Sequence, residues 1–442
     1  MRTKPVFPLL VSMSVPMMLS MLIQSLYNIV DSIYVSRLGT DALTAVSLAY
    51  PLQNAIVSVG VGIGVGISSA VSIYLGSGDQ EKADRAATLG VILTFFHCIL
   101  FVLAGIFITR PFLHLFTDDP DILKDACDYT YIVLCLSFGA LLQLAFEKIF
   151  QSIGKMKITM YLLIVGCVIN IILDPVLIFG LLGFPALGVA GAAIATVIGQ
   201  ISAFLLYILV YVRKSYAVRI RLKYVRPDWK IIRRIYSVGI PSSIMMLLPS
   251  VLISLLNRIL ASFSDLYVAV LGVYFKLQTF IYMPANGIVQ GMRPILGYNY
   301  GAGEHARVRS TIRYSLGCEA AIMLIGTLLS LILPGQIFTL FDADAALMDA
   351  GVTALRIICL GFLISSIGVI YAGAFEALGN GRDSLIISLL RQFVVTIPLS
   401  YMLSHFFGPV GVWIAFPAGE FFAAVVAFFL LKTYKKGAFS PF

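Results

Sequence analysis

The sequence predicts an all-α polytopic membrane protein of twelve transmembrane helices, arranged as two six-helix lobes related by a pseudo-two-fold axis along the membrane normal. Three observations carry that expectation. Only 12% of the 442 residues are charged while 60% are hydrophobic, and the mean hydropathy is +0.96; ordinary soluble domains carry about 25% charged residues. Apolar stretches of the length a helix needs to cross the hydrocarbon, about 20 residues, recur along the whole chain. The second half also repeats the first in a fixed register. The same figures exclude a disordered, collagen-like or disulfide-stapled chain, since apolar residues are abundant, glycine is not periodic, and six cysteines are scattered over the full length.

The apolar windows fall near 9–37, 47–75, 88–109, 129–153, 158–181 and 189–212, then near 236–262, 270–298, 311–334, 352–378, 384–405 and 411–431. The first contains Asn28 and Asp31, is too long for a signal-peptide core and lacks a convincing small-residue cleavage site, so it reads as a retained first helix. Lys and Arg set the orientation. With a cytoplasmic amino terminus, the inner side holds Arg2, Lys4, the pairs at 82–85 and 155–157, the stretch 213–234, the segment 307–313, Arg382 and the tail at 432–436, which is 22 of the 31 basic residues. The outer side holds only Arg37, Arg110 and Lys124, and two outer loops gather Asp118, Asp119, Asp121, Asp125, Asp128, Asp342, Asp344 and Asp349. Both termini are therefore expected in the cytoplasm, in a multi-pass protein of the cell (plasma) membrane. The net charge of +9 is a topology signal and not a nucleic-acid footprint.

An offset of 225 positions aligns Pro16 with Pro241, Gln53 with Gln278, Gly62 with Gly287, Gly66 with Gly291, Phe150 with Phe375 and Gly154 with Gly379; a two-residue gap then brings Gly188 onto Gly411. Each unit has an even number of spans, so both enter from the same side. The expected domains are an amino-terminal six-helix lobe over 1–212, a basic cytoplasmic linker over 213–235 and a carboxyl-terminal six-helix lobe over 236–442. Two such lobes facing a central cavity suit alternating access, although some channels are also built from tandem repeats.

Ionisable groups inside a span are costly, about +2.5 to +3.5 kcal/mol for Asp at a helix centre, and mark functional candidates. Asp31 shares a helical face with Gln24, Tyr27 and Asn28 at i−7, i−4 and i−3. Asp174 follows Asn170 by four residues and precedes Pro175, which frees a backbone carbonyl. Oxygen groups placed this way suit a hard cation such as Na⁺, or a proton on a desolvated carboxylate. At the repeat offset Asp31 corresponds to Leu256 and Asp174 to Leu399, so the second lobe lacks both acids; shared packing would be expected in both halves, and the asymmetry favours function. Glu147 and Lys148 sit within about two turns of the cytoplasmic end of the fourth span, where long side chains snorkel or pair. Arg293, beside Gln290, and Arg391 are candidate partners of Glu147, Glu319 or Glu376 in an inner gate. Glu420 lies deeper, facing either a cavity or a partner.

Other motifs fail. Gly60, Gly62, Gly64 and Gly66 lie inside an apolar span and lack the lysine of a P-loop, so they read as close helix packing and no ATP drive is expected. The four histidines and six cysteines form no zinc or redox spacing, and no Ser/His/Asp set can be assembled, so neither enzyme nor cofactor is expected.

Three separated motifs, Tyr27-Asn-Ile-Val-Asp31-Ser-Ile-Tyr-Val, Gln151-Ser-Ile-Gly-Lys-Met-Lys followed by Asn170-Ile-Ile-Leu-Asp174-Pro, and Gln290-Gly-Met-Arg-Pro-Ile-Leu-Gly-Tyr-Asn-Tyr-Gly301-Ala, resemble the multidrug and toxic compound extrusion (MATE) family. The likeness covers nearly the whole chain. It implies a secondary active antiporter that exports amphipathic or cationic organic compounds in exchange for H⁺ or Na⁺. Asp31 matches the first-helix aspartate of the bacterial branch that couples through the amino-terminal lobe, and Asn170 and Asp174 match its fifth-helix pair, with Tyr27 and Thr196 as candidates to complete the site. Another branch uses acids of the seventh and tenth helices; here those helices offer Arg258 and, at a cytoplasmic end, Glu376, which argues against a carboxyl-lobe sodium site.

The expectation is an ion site, including possible Na⁺, at Asp31, Asn170 and Asp174, with Met245, Met246, Tyr274, Phe275 and Met283 offering adaptable apolar contacts to drug between the lobes. The partners expected are small-molecule drugs or metabolites and the lipid bilayer, without nucleic acid, for a monomeric protein. The alternative is a flippase for a lipid-linked precursor, whose pyrophosphate would need a basic cavity and keeps Arg258, Arg293 and Arg391 in play. A channel ranks third and a membrane enzyme last.

Overall fold

The computed structural model describes residues 1–341 and 343–434; Asp342, Lys435 and Lys436, which entered the orientation argument, lie outside the described residues. Among the described residues every regular element is helical. Eleven helical segments are long and apolar enough to cross a membrane singly, and a twelfth crossing is a pair of helices, α4 (Pro120–Cys135) and α5 (Phe138–Ser152), bent by 44° at their junction. These correspond in order to the twelve apolar windows.

Two compact units result, one formed by Leu19–Ser243 and the other by Met1–Met18 together with Ile244–Phe442. Their bounds differ from lobes over 1–212 and 236–442. The first half of α1 (Val6–Ser36) packs with the second repeat, and the first half of α8 (Trp229–Ala261), with the linker before it, packs with the first. The cause is a glycine pair that occurs once per repeat. In α2 (Thr40–Gly76), a Cβ on Gly62 would lie 2.1 Å from Ser243 Oγ, and one on Gly66 would lie 2.2 Å from the Ile235 carbonyl oxygen, so α8 seats directly on bare backbone. In α9 (Asp265–Gly301), the repeat counterparts Gly287 and Gly291 receive α1 at Met18 and Ser14 in the same way. Gly60 and Gly64 face Leu144 and Lys148 of α5 instead. The glycine row is thus a packing device, as its setting in an apolar span suggested.

Within the Leu19–Ser243 unit, α2 lies against α3 (Gln80–Leu113), α4 and α5, while α6 (Met156–Phe179) and α7 (Gly188–Arg213) pack on each other. The basic linker is docked, not a loose tether. Arg219 N–H donates to Asp84 Oδ1 (2.8 Å), Arg221 N–H to Thr88 Oγ1 (3.1 Å), and Val218 is fully buried in a cluster with Ile67, Ile149 and Ile235.

The other unit is built on a core of Leu252, Leu256, Tyr274, Phe338, Phe362 and Trp413. It comprises the rest of α8, α9, α10 (His305–Ile332), the short α11 (Pro334–Thr339), α12 (Ala345–Ile358) continued by α13 (Phe362–Ala377), α14 (Gly381–Leu389), α15 (Thr396–Phe407) and α16 (Pro409–Tyr434). Between α14 and α15 the chain makes one π-helical turn over Leu390–Val394. Pro398 lacks the N–H that would bond the Val394 carbonyl, and Thr396 Oγ1 instead donates to the Arg391 carbonyl at 2.6 Å. Some of the loop acids have a local task. Asp119 and Asp344, repeat counterparts, cap α4 and α12: Asp119 accepts from the N–H groups of Asp121 and Ile122, and Asp344 from that of Leu347. On the opposite-facing turn, Asp79 caps α3 and accepts from Lys82, whose ammonium and backbone N–H hold the Asp79 carboxyl below the usual range.

Candidate functional site

Helices α1, α6 and α7 bring the sequence-predicted polar residues together inside the Leu19–Ser243 unit. The approach of α6 to α7 is made by glycines: a Cβ on Gly199 would lie 2.9 Å from the Gly166 carbonyl oxygen and 3.1 Å from Asn170 Cβ. That contact sets Asn170 beside Thr196, and Asn170 Nδ2 donates to Thr196 Oγ1 at 3.3 Å. Tyr27 of α1 lies beside Thr196. One turn along α6, Asp174 is fully buried and meets the carboxyl group of Asp31, within hydrogen-bond reach.

Two carboxyl groups can hydrogen-bond only if they share a proton. Without it, Asp31 Oδ1, both oxygens of Asp174 and Asn170 Oδ1 are buried with no hydrogen-bond partner. Four buried oxygens lacking donors are a site for a proton or a small hard cation, since buried polar atoms are otherwise almost always paired. The donor set fits either ion. Among the described residues no group of three or more His, Cys, Asp or Glu side chains is suited to a transition metal.

The sequence reading missed two members. Tyr129 of α4 is buried, interacts electrostatically with both aspartates, and donates from its hydroxyl to Gln53 Oε1 of α2 at 3.3 Å. The signal was available: Tyr129 corresponds in the repeat to Ala354, the same asymmetry that singled out Asp31 and Asp174. Asn28, expected in the ion site, and Gln24, expected in the substrate cavity or gate, are both exposed on α1.

The remaining candidates divide into ion pairs and packing. Glu147 and Lys148 do not snorkel; both are buried, Lys148 Nζ lies 3.1 Å from Glu147 Oε1, and Gln151 Nε2 donates to the same oxygen at 2.8 Å. Arg293 pairs with Glu376, one of the partners expected for it. Arg391 pairs instead with Glu420, Nε to Oε1 at 2.6 Å, and not with Glu147, Glu319 or Glu376. Tyr274, expected to contact drug, is packed into the core between Phe275, Phe362 and Phe416, with its hydroxyl accepting from Gln278. Met245 and Met283 are half-buried, and Met245 Sδ accepts from Ser388 Oγ at 3.0 Å; Gln290 is half-buried beside Gly291. Met246 is exposed and Phe275 half-buried.

A repeated six-span helical chain with an uncompensated acid pair inside one repeat is the framework of a polytopic transporter. The chain belongs to the MatE family, whose model matches residues 16–176 and again 241–402, a family of transporters and not of enzymes. It is similar to the multidrug export protein MepA of Staphylococcus saprophyticus, 28% identical over 427 residues covering 96% of this chain and 93% of that one, and to MepA of Staphylococcus aureus, 25% identical over 428 residues covering 97% and 94%. Among solved structures it is similar to a MATE protein crystallised with MaL6, with a TM-score of 0.92 at 26% identity over 98% of this chain and 97% of that one. An outward-facing multidrug resistance MATE transporter of the MOP superfamily matches with a TM-score of 0.91 at 26% identity over 99% of both chains.

Proposed function

We propose that this protein is a secondary active antiporter of the cell membrane, with both termini cytoplasmic, that exports amphipathic or cationic organic compounds by alternating access in exchange for H⁺ or Na⁺. The observation that carries the reading is the Asp31–Asp174 pair, four of whose neighbouring buried oxygens, counting Asn170, lack donors. Such a cluster is stable only when an ion is present, so its free energy depends on ion concentration. A transporter needs that dependence to couple a gradient to a conformational cycle. Tyr27, Thr196 and Asn170 orient the site, Tyr129 and Gln53 close its far side, and the ion is cargo. The family's amino-terminal-lobe branch, with acids in the first and fifth spans, is the branch this residue set fits.

The flippase reading loses ground on a specific count. A pyrophosphate needs unpaired cations, and of Arg258, Arg293 and Arg391 the last two are engaged by Glu376 and Glu420. The test is exchange of a cationic dye in proteoliposomes under imposed pH and Na⁺ gradients, applied separately. Exchange driven by one gradient and lost in both Asp31→Asn and Asp174→Asn supports the reading. Exchange at the wild-type rate in either variant would overturn the ion-site assignment, and movement of lipid-linked pyrophosphate without ion flux would favour the flippase.

A further inference from the structure

Glu319 lies in the middle of α10, in the unit without the aspartate pair. It is fully buried, α10 packs chiefly against α9 and α13, and neither carboxylate oxygen has a hydrogen-bond partner. The groups facing it are Arg391 from the π-helical turn, Tyr282 from α9 and, on its own helix, Cys318. None of these satisfies it. Arg391 is bonded to Glu420 Oε1 of α16, and the Tyr282 hydroxyl donates to Ser365 Oγ of α13 at 2.8 Å. The Arg391 guanidinium sits over the Tyr282 ring, 5.5 Å from its centroid, and Tyr274 borders the same charges. Glu420 Oε2 is likewise buried without a partner.

Two carboxyl groups thus share one guanidinium, and ionising both would leave a net negative charge in a buried place, which costs several kcal/mol. A metal cation would have to sit beside the guanidinium and be repelled by it, whereas a proton removes the charge at its source and supplies an O–H donor. The position is also informative. At the repeat offsets Arg391 and Glu420 correspond to Gly166 and Val197, about one turn and one residue from Asn170 and Thr196, so this cluster occupies in the second repeat the region that holds the ion site in the first. A π-helical turn at Arg391 marks it further, since such turns gather at functional positions.

We propose that Glu319, backed by the Arg391–Glu420 pair, is a second proton-binding site, in the unit that lacks the aspartate pair. Glu319 takes one proton from water onto a carboxylate oxygen and returns it as the pH rises; no other bond changes. The inference goes beyond the transport reading and does not depend on which ion Asp31 and Asp174 take.

Infrared difference spectra of the purified full-length protein, recorded across about pH 5–10, test it without substrate or gradient. Expected is a protonated-carboxyl C=O band that disappears as the pH rises, persists in the Asp31→Asn/Asp174→Asn double variant and is absent when Glu319→Gln is added to that double variant. Glu420→Gln, which leaves one carboxylate for Arg391, moves the loss of the band to lower pH. A Glu319→Gln spectrum indistinguishable from wild type, a band that does not titrate, or a band unmoved by Glu420→Gln would each overturn the proposal. Failure of the antiport reading leaves this band untouched, so the two fail separately.

Discussion

The aspartate pair of one repeat and the arginine-held glutamates of the other are buried in opposite ways. In the Leu19–Ser243 unit, Asp31 and Asp174 meet each other among amide and hydroxyl groups, with no ion pair to a cationic side chain among the described residues. In the other unit the counterparts of both aspartates are leucines, Leu256 being part of the core. There the acids Glu376 and Glu420 are each held by an arginine, Arg293 and Arg391. Where Glu319, Arg391 and Glu420 stand, the first repeat has Thr94, Gly166 and Val197. An acid pair without a fixed counter-charge needs a mobile one, and its stability follows the concentration of that ion. An acid held by arginine carries its counter-charge in the covalent chain, and its stability does not.

Four experiments break or sharpen that contrast. The largest effect is on transport: Asp174→Asn and Asp31→Asn each reduce gradient-driven dye exchange to background while the purified protein keeps its helical circular dichroism. Next come the fixed pairs. Because Arg391 and Glu420 pair while only 16% and 13% exposed, Glu420→Gln and Arg391→Gln each lower stability by about 3 kcal/mol, whereas the double replacement by methionine restores much of the loss. Thermal unfolding in detergent reads this, and a double variant no more stable than the singles would contradict it.

Smaller, and common to both repeats, are the glycine seats. Gly66→Ala and Gly291→Ala each cost about 1–3 kcal/mol because the added methyl meets backbone, at the Ile235 carbonyl and at Ser14 respectively. Gly64→Ala meets the Lys148 side chain at Cγ and not backbone, and costs less in the same assay. The smallest effect is at the caps. Asp119→Ala and Asp344→Ala, occupying matching positions, each cost about 1 kcal/mol, and unequal losses would show that the repeats do not share this device.

Much of the site was legible because lipid-spanning sequence is a sparse background. Asp31, Asn170 and Asp174 stood out as polar atoms in apolar windows, and helical periodicity put Tyr27 on the face of Asp31. Asn28 met the same periodicity test and still lies exposed, because i−3 and i−4 differ by a full residue's rotation and only contact with α7 decides which of the two turns inward. Arg391 shows the other limit: three acids were weighed as its partner, and Glu420, 29 positions away on the next helix, took it. Tyr274 looked like a recognition aromatic by composition and is a core residue by packing.

Hydropathy, charge placement and self-similarity are properties of the chain read along its length, so the sequence by itself determined the helical membrane class, the twelve crossings, the six-span repeat and the asymmetry of its acids. The exchange of first half-helices between repeats, the placing of Gln53 beside Tyr129 at the candidate ion site, and the sorting of acids into paired and unpaired were decided only in the tertiary structure. They depend on which helix faces meet. That choice rests on close contacts such as Gly66 on Ile235, which join residues far apart in sequence and leave no periodic trace in it.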